Sequence, residues 1–350
     1  MKILLPIILL LVACGQTTEQ QEETDPTNES LSQELQPNYV TAPVATDSDD
    51  PAIWVHPTEP SQSLIVGTDK GSPDGGLYVF DLQGKKLDSV KGLLRPNNVD
   101  LAWVRSEADT FAVVVCTERQ AGQLRAFRMP DLAPVDGGGF PLFEGEENRA
   151  AMGIALFERP SDGAIFAQVS RKTEEGSPAD SQAIWQYQLT FDGTETKAQS
   201  SFLRRFGQFS GQKEIEAMAV DNQLGYLYYS DEGVGVRRYF VDPDSPSEEL
   251  ALFGTQGFAE DHEGIAIYPT GASSGYITVS DQGAQRFHFF DRESLEPLGI
   301  TSVAALKSDG SEAVADSLNE DFPQGLFVAM SDDRTFHLYD WRAFLASRAE

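Results

Sequence analysis

"EAMAVDNQLGYLYYSDEGVGVRRYFV" (residues 216–241) holds three short runs rich in Val, Tyr and Phe, separated by Asp, Asn and Gly clusters. Runs of this length between turn-forming residues read as β-strands in tight succession. The same order recurs along the chain. "AIWVHP" precedes "SLIVGTDK" and "GGLYVFDLQGK"; "VDLAWV" precedes "FAVVVCTER" and "GQLRAFRM"; "GIALFERP" precedes "AIFAQVSRK" and "QAIWQYQL". Further on, "GIAIYPTG" leads to "GYITVSDQG" and "AQRFHFFDR", and "EAVADSL" to "GLFVAMSDD" and "TFHLYDW". Roughly six units with a period near 50 residues, each with three strands and room for a fourth, predict an all-β, six-bladed β-propeller. A two-sheet sandwich also needs many short strands, but it would not repeat one strand order. Ring closure is expected to pair "NYVTAPVAT" (residues 38–46) with the last blade, which protects the sheet edges.

The segment before the repeats has a different character. "MKILLPIILLLVAC" carries one basic residue, an apolar run too short to span a bilayer and small residues before a cysteine, as in a secretory signal. The "LVAC" ending resembles the bacterial lipobox, so residues 1–13 are expected to be removed and Cys14 lipidated; an ordinary signal with an incidental cysteine is the alternative. With Gly15 following, the lipobox resemblance implies the outer membrane of a Gram-negative cell envelope, with membrane contact through the lipid only. Residues 15–38 are polar and acidic and are expected to form a disordered tether, leaving residues 39–350 as the propeller, a monomer.

The formal charge of −29 argues against nucleic acid and anionic lipid as partners and favours cations. Cys116, in an apolar strand, has no second cysteine in the globular part and is expected to be buried. Four scattered His and no CxxC or HExxH argue against zinc, so a bound metal would have oxygen ligands.

Equivalent positions of a propeller form rings about its axis. The second strands end in Asp69 and Lys70, Glu118 and Arg119, Arg171 and Lys172, Asp231 and Glu232, Asp281 and Gln282, Asp332 and Asp333. The first strands start with Asp49 and Asp50, Asn98 and Asp100, Met152, Glu214 and Glu216, Asp261 and Glu263, Asp309 and Glu312. In an antiparallel blade these ends coincide, so both rings are expected on one face of the channel. Converging carboxylates need a countercharge, which calcium supplies through six to eight oxygen ligands in loose geometry. The bases come from the first three blades and the acids mainly from the others, an arrangement suited to phosphate; pairing of the bases with nearby carboxylates is the simpler alternative.

On these residues the chain resembles the β-propeller phytases. The likeness runs through "DSDDPAIWVHP", "GTDKGSPDGGLYVFDLQGK", "RPNNVDLAW", "EIEAMAVDNQLGYLYYSDEG", "DHEGIAIY" and "SDGSEAVADSLNEDFPQGLFV". The resemblance implies a calcium-dependent phosphatase that releases phosphate from phytate, inositol hexakisphosphate, or from its calcium complex. It implies several Ca2+ ions on Asp49, Asp50, Glu216, Glu232, Asp261, Glu263 and Asp309, a structural calcium near "NNVD" (Asn97 to Asp100) with Asn98 and Asp100 as ligands, and phosphate binding by Lys70, Arg119 and Lys172. Catalysis would fall to Glu216 with these three bases, by attack of a calcium-activated water. Two positions depart from the family pattern: Met152 stands where a phosphate-contacting Tyr is usual, and Ala217 where Gly is usual. A non-catalytic propeller binding calcium and a polyanion or a protein partner is the alternative; a calcium-dependent lactonase or sugar-acid hydrolase on a similar propeller is a third reading.

Overall fold

The computed structural model describes residues 34–105, 109–174, 176–191 and 198–349. They form six antiparallel sheets, one per repeat. Blade 1 is Ser48–Trp54, Leu64–Asp69, Gly75–Phe80 and Lys86–Leu93. Blade 2 is Pro96–Arg105, Thr110–Glu118 and Gln123–Arg128, edged by the short Ala133–Pro134 and Phe140–Pro141. Blade 3 is Ala151–Glu158, Ile165–Arg171, Ile184–Thr190 and Gln199–Phe206; blade 4 is Met218–Asp221, Tyr226–Asp231, Gly235–Phe240 and Ala251–Phe253. Blade 5 is His262–Pro269, Gly275–Asp281, Arg286–Asp291 and Pro297–Ser302. Blade 6 takes Ser311–Val314, Leu326–Ser331 and Thr335–Asp340, and its outer strand is Tyr39–Val40 from the other end of the chain. Tyr39 pairs with Leu338 and Val40 with His337, closing the ring as expected.

The apolar second strands follow from burial on both faces. Six hydrophobic clusters each join two neighbouring blades, so a strand such as Thr110–Glu118 is covered on either side. Cys116 lies fully buried between blades 1 and 2, where burial pushes its thiol pKa up and makes it an inert packing group. The one α-helix among the described residues, Trp341–Ala346, is capped by the Asp340 carboxylate on the Arg342 amide; Trp341 stacks on Tyr268 at 3.8 Å and Phe344 on Phe327 at 4.0 Å.

The ordered fold begins earlier than the acidic composition predicts. Leu35 exchanges backbone bonds with Ser302 (2.9 Å) and Ala304 (3.1 Å), and the Asn38 side chain accepts from the Asp340 amide. The last five residues assigned to the tether are thus docked on blades 5 and 6. The signal segment, Cys14 and residues 15–33 lie outside the described residues.

Candidate active site at the bulged mouth of the channel

The site is built on a β-bulge that recurs around the ring. In blade 1, Ser48 pairs with Asp69 and Pro51 with Gly67, so Asp49 and Asp50 together oppose Thr68. Asn97 and Asn98 oppose Thr117 in blade 2, Met152 and Gly153 oppose Ser170 in blade 3, and Glu263 and Gly264 oppose Ser280 in blade 5. The spacing holds at Glu216 and Ala217 against Ser230, and at Asp309 and Gly310 against Met330. A bulge leaves a backbone amide without a ladder partner, and the opposing hydroxyl takes it in three blades: Thr68 accepts from Asp50 at 2.9 Å, Thr117 from Asn98 at 3.2 Å and Ser170 from Gly153 at 3.0 Å. Thr117 then donates to the Met152 carbonyl, Ser170 to Ile215 and Ser280 to Ser308, tying each blade to the next.

The bulge sends its two residues to different places. The first residues, Asp49, Asn97, Glu216 and Asp309, meet at the mouth. Asn97 Nδ2 donates to Asp49 at 3.0 Å and, across the axis, to Glu216 at 2.7 Å; Lys70 Nζ bridges Asp49 (2.7 Å) and Asp309 (2.8 Å). The second residues turn into the channel, where Asp50, Asn98, Asp100 and Glu312 line a cavity of about 280 Å3. Two expectations are corrected here. Asn97, not Asn98, is blade 2's mouth residue, because the bulge shifts the alternation by one; and Asp50 and Asp100 sit inside the channel, not in the ring with Asp49. Asp50 accepts from the Val99 amide (2.9 Å), while Asp100 accepts from Leu156 and Leu101 (both 2.6 Å).

Period-two alternation also splits the second-strand ring. Its leading acids are buried and grip the chain that enters their own blade. Asp69 accepts from the amides of Ala45, Thr46 and Asp47, Glu118 from Leu94, Asp231 from Ser210 and Asp281 from Ala259. They are architectural, in place of the single charged ring expected. The following residues, Lys70, Arg119, Lys172, Glu232 and Gln282, reach the mouth; blade 6 departs, since Asp332 is half exposed opposite Lys307.

The mouth has two poles. On blades 4 and 5, Glu214, Glu216 and Glu232 bring one oxygen each within 4.8 Å of one another, and so do Glu232, Asp261 and Glu263. Burial, reinforced by the neighbouring acids, pushes Glu232 up to about 10 and Glu216 and Glu263 well above the usual carboxylate range. Glu232 Oε1 and Glu263 Oε2 are buried without a hydrogen-bond partner. Two orphaned oxygens in an all-oxygen donor set fit a hard, oxygen-seeking cation. Burial also raises Asp309 to about 6, although Lys70 draws it the other way. On blades 1 to 3, burial would depress Lys70, but Asp49, Asp309 and Glu216 outweigh it and keep the ammonium charged. Lys172 is paired with Glu214, whereas the Arg119 guanidinium bonds only the neutral Asn97 Oδ1, at 3.3 Å, among the described residues. The simpler alternative of carboxylate pairing therefore describes the two lysines and not the arginine. Met152 occupies blade 3's place in the mouth row and is buried.

Fold and site together define a six-bladed propeller whose channel mouth sets an acidic pole, able to hold a metal ion, beside a basic one. The family model described as Phytase matches residues 2–337, and the chain belongs to that family; it is by family a phytase. It is 27% identical over 322 residues, 84% of this chain and 77% of the relative, to a 3-phytase of Bacillus subtilis (strain 168). Among solved structures, a chain from "Crystal Structure of Mitotic Checkpoint Complex" is similar at a TM-score of 0.50 and 9% identity, over 93% of this chain and 99% of that one, which shows likeness of fold alone.

Proposed function

We propose that the protein hydrolyses the phosphate monoesters of phytate in a calcium-dependent reaction at this mouth. The observation that carries the reading is that orphaned, buried carboxylate oxygens on blades 4 and 5 share the mouth with Lys70, Arg119 and Lys172 of blades 1 to 3. Glu214, Glu216, Glu232, Asp261 and Glu263 would hold calcium, with Asp49 and Asp309 beside them. Bound calcium would offset the carboxylate charge and polarise phosphoryl oxygens.

The chain's own residues do the rest. Glu216, oriented by Asn97 Nδ2 and held ionised by the neighbouring cation, takes the proton of an attacking water. Lys70, fixed between Asp49 and Asp309, supplies a permanent positive charge to the transferring group. Arg119 offers a bidentate fork, and Lys172 exchanges its Glu214 partner for a phosphoryl oxygen.

The test is phosphate release from phytate by the purified protein, in millimolar calcium and in chelator. Calcium-dependent release is expected, and activity persisting in chelator at undiminished thermal stability would sink the reading. Met152, which has no hydrogen to donate in its mouth position, favours a second reading of polyanion binding without turnover. Calcium-stabilised protein that binds phytate and releases no phosphate would select it.

A further inference from the structure

The chain enters blade 5 through a loop, residues 254–261, that lies between strands and pairs with none. The loop ends on Asp261, so this acid reaches the pole from irregular backbone, whereas Glu263 stands on the inner strand His262–Pro269. Holding Asp261 there costs free energy. One of its oxygens lies within 4.8 Å of oxygens of Glu232 and Glu263, and like charges at that range push the loop outward. Among the described residues, the one side chain bonded to the Asp261 carboxylate is Lys213, itself exposed. An exposed ion pair is a weak restraint.

The stronger restraint lies behind Asp261. Of residues 255–260 only Phe258 is withdrawn from solvent. Its ring sits between two imidazoles, with its centroid 3.9 Å from that of His262 and 3.9 Å from that of His288, the planes 29° and 15° apart. Both histidines are anchored. His262 Nε2 donates to the Gly254 carbonyl, at the start of the loop, at 2.7 Å. His288 Nε2 lies 3.3 Å from the Asp281 carboxylate, which also accepts from the Ala259 amide of the loop at 3.0 Å. Arg286 closes the frame by donating to the Gly257 carbonyl at 2.8 Å. The loop is therefore wound around Phe258, and Gly254 and Gly257 supply its left-handed residues at φ +65° and +88°.

Phe258 has no oxygen to offer a cation, but the ring it presses on is that of His262, the residue between Asp261 and Glu263. Stacked rings of this kind fix both separation and tilt. We propose that Phe258 is a positioning residue of the acidic pole: clamped between His288 and His262, it keeps the loop down and Asp261 beside Glu232 and Glu263. The inference rests on the calcium reading of that pole and names a residue, remote from the ion, on which its affinity depends.

The test is calorimetric titration of calcium into metal-free wild type, Phe258→Ala, Phe258→Leu and Phe258→Tyr, paired with phytate kinetics over a range of calcium. Loss of a residue that orients ligands from behind is expected to weaken calcium binding about 10-fold in F258A. F258L, which fills the space without a ring face, should fall between, and F258Y, which keeps both faces, should restore wild-type affinity. The calcium concentration for half-maximal activity should rise in F258A by the same factor, with kcat at saturating calcium changed less. A purely structural role would instead lower stability in urea and leave the calcium affinity of the folded protein alone. F258L carries the test if F258A does not fold. Equal calcium affinity in wild type and the folded variants, or a loss in F258Y as large as that in F258A, overturns the inference. Calcium binding weakened in F258A, in a protein that releases nothing from phytate, would leave Phe258 as assigned and defeat the proposed function. Calcium-dependent hydrolysis with calcium affinity unaltered in F258A would do the reverse.

Discussion

Glu216 and Asp281 are both acids at strand ends near the mouth, and their surroundings drive them in opposite directions. Glu216 has one side-chain donor, Asn97, and several acids around it, so burial raises its pKa. Replacing it with Gln keeps the shape and removes the base; kcat on phytate is expected to fall about 100-fold or more with the fold intact, as checked by steady-state kinetics beside thermal melts. Asp281 is buried too, but bonds from His288, the Ala259 amide and Arg286 outweigh the burial that would raise it and hold it at about 2. A carboxylate depressed from 3.8 contributes stability that is full above that value and is lost as the pH falls through about 2. Asp281→Asn should therefore cost about 2 kcal/mol at pH 7. Urea unfolding of both proteins at descending pH should show the gap narrowing below pH 4; a constant gap would mean that the charge of Asp281 is irrelevant.

At the scale of elements, the bulge decides which residue faces the mouth. The hydroxyl before each strand-end pair is its visible trace: "TDK", "TER", "SRK", "SDE" and "SDQ" all place Thr or Ser opposite the two bulged residues. The number of blades, the closing strand and the mouth residues Lys70, Arg119, Lys172, Glu216 and Glu232 were legible in the sequence, because strand period and repeat fix them. The exchange of Asn97 for Asn98 was not, since a bulge changes register without changing composition. Neither was the structural duty of Asp69 and Asp231, whose amide partners lie about 20 residues away in sequence. Thr117→Val, an isosteric change, strips the acceptor from the Asn98 amide and the donor from the Met152 carbonyl. It should lower stability by about 1–3 kcal/mol, measured by chemical denaturation. Gly310→Ala tests the bulge differently. An added β-carbon would lie 2.6 Å from Asp50 Cα and 2.7 Å from the Asp49 carbonyl, so blades 1 and 6 must part, at a cost of about 1–3 kcal/mol.

Across the whole molecule, the ring gathers acids that no single blade could hold. The channel adds Glu312, raised to about 8 by burial and by Asp100, to the mouth's Glu232 at about 10. Groups whose pKa is raised on folding bind more protons in the native state, so their contribution to stability is complete below the unfolded value near 4.5 and is lost as the pH climbs through the folded values. The metal-free protein should accordingly melt at lower temperature at pH 9 than at pH 5. Calcium bound as proposed would take the place of those protons: it should raise the melting temperature most at alkaline pH and flatten the profile, because a ligand stabilises in proportion to its preference for the folded form. The exchange has a second signature. Binding near neutral pH must release protons, so the calorimetric heat of calcium binding should vary with the ionisation enthalpy of the buffer. A metal-free melting profile that is flat from pH 5 to 9, together with buffer-independent heats, would show that the mouth carboxylates are already ionised and that something other than calcium balances them.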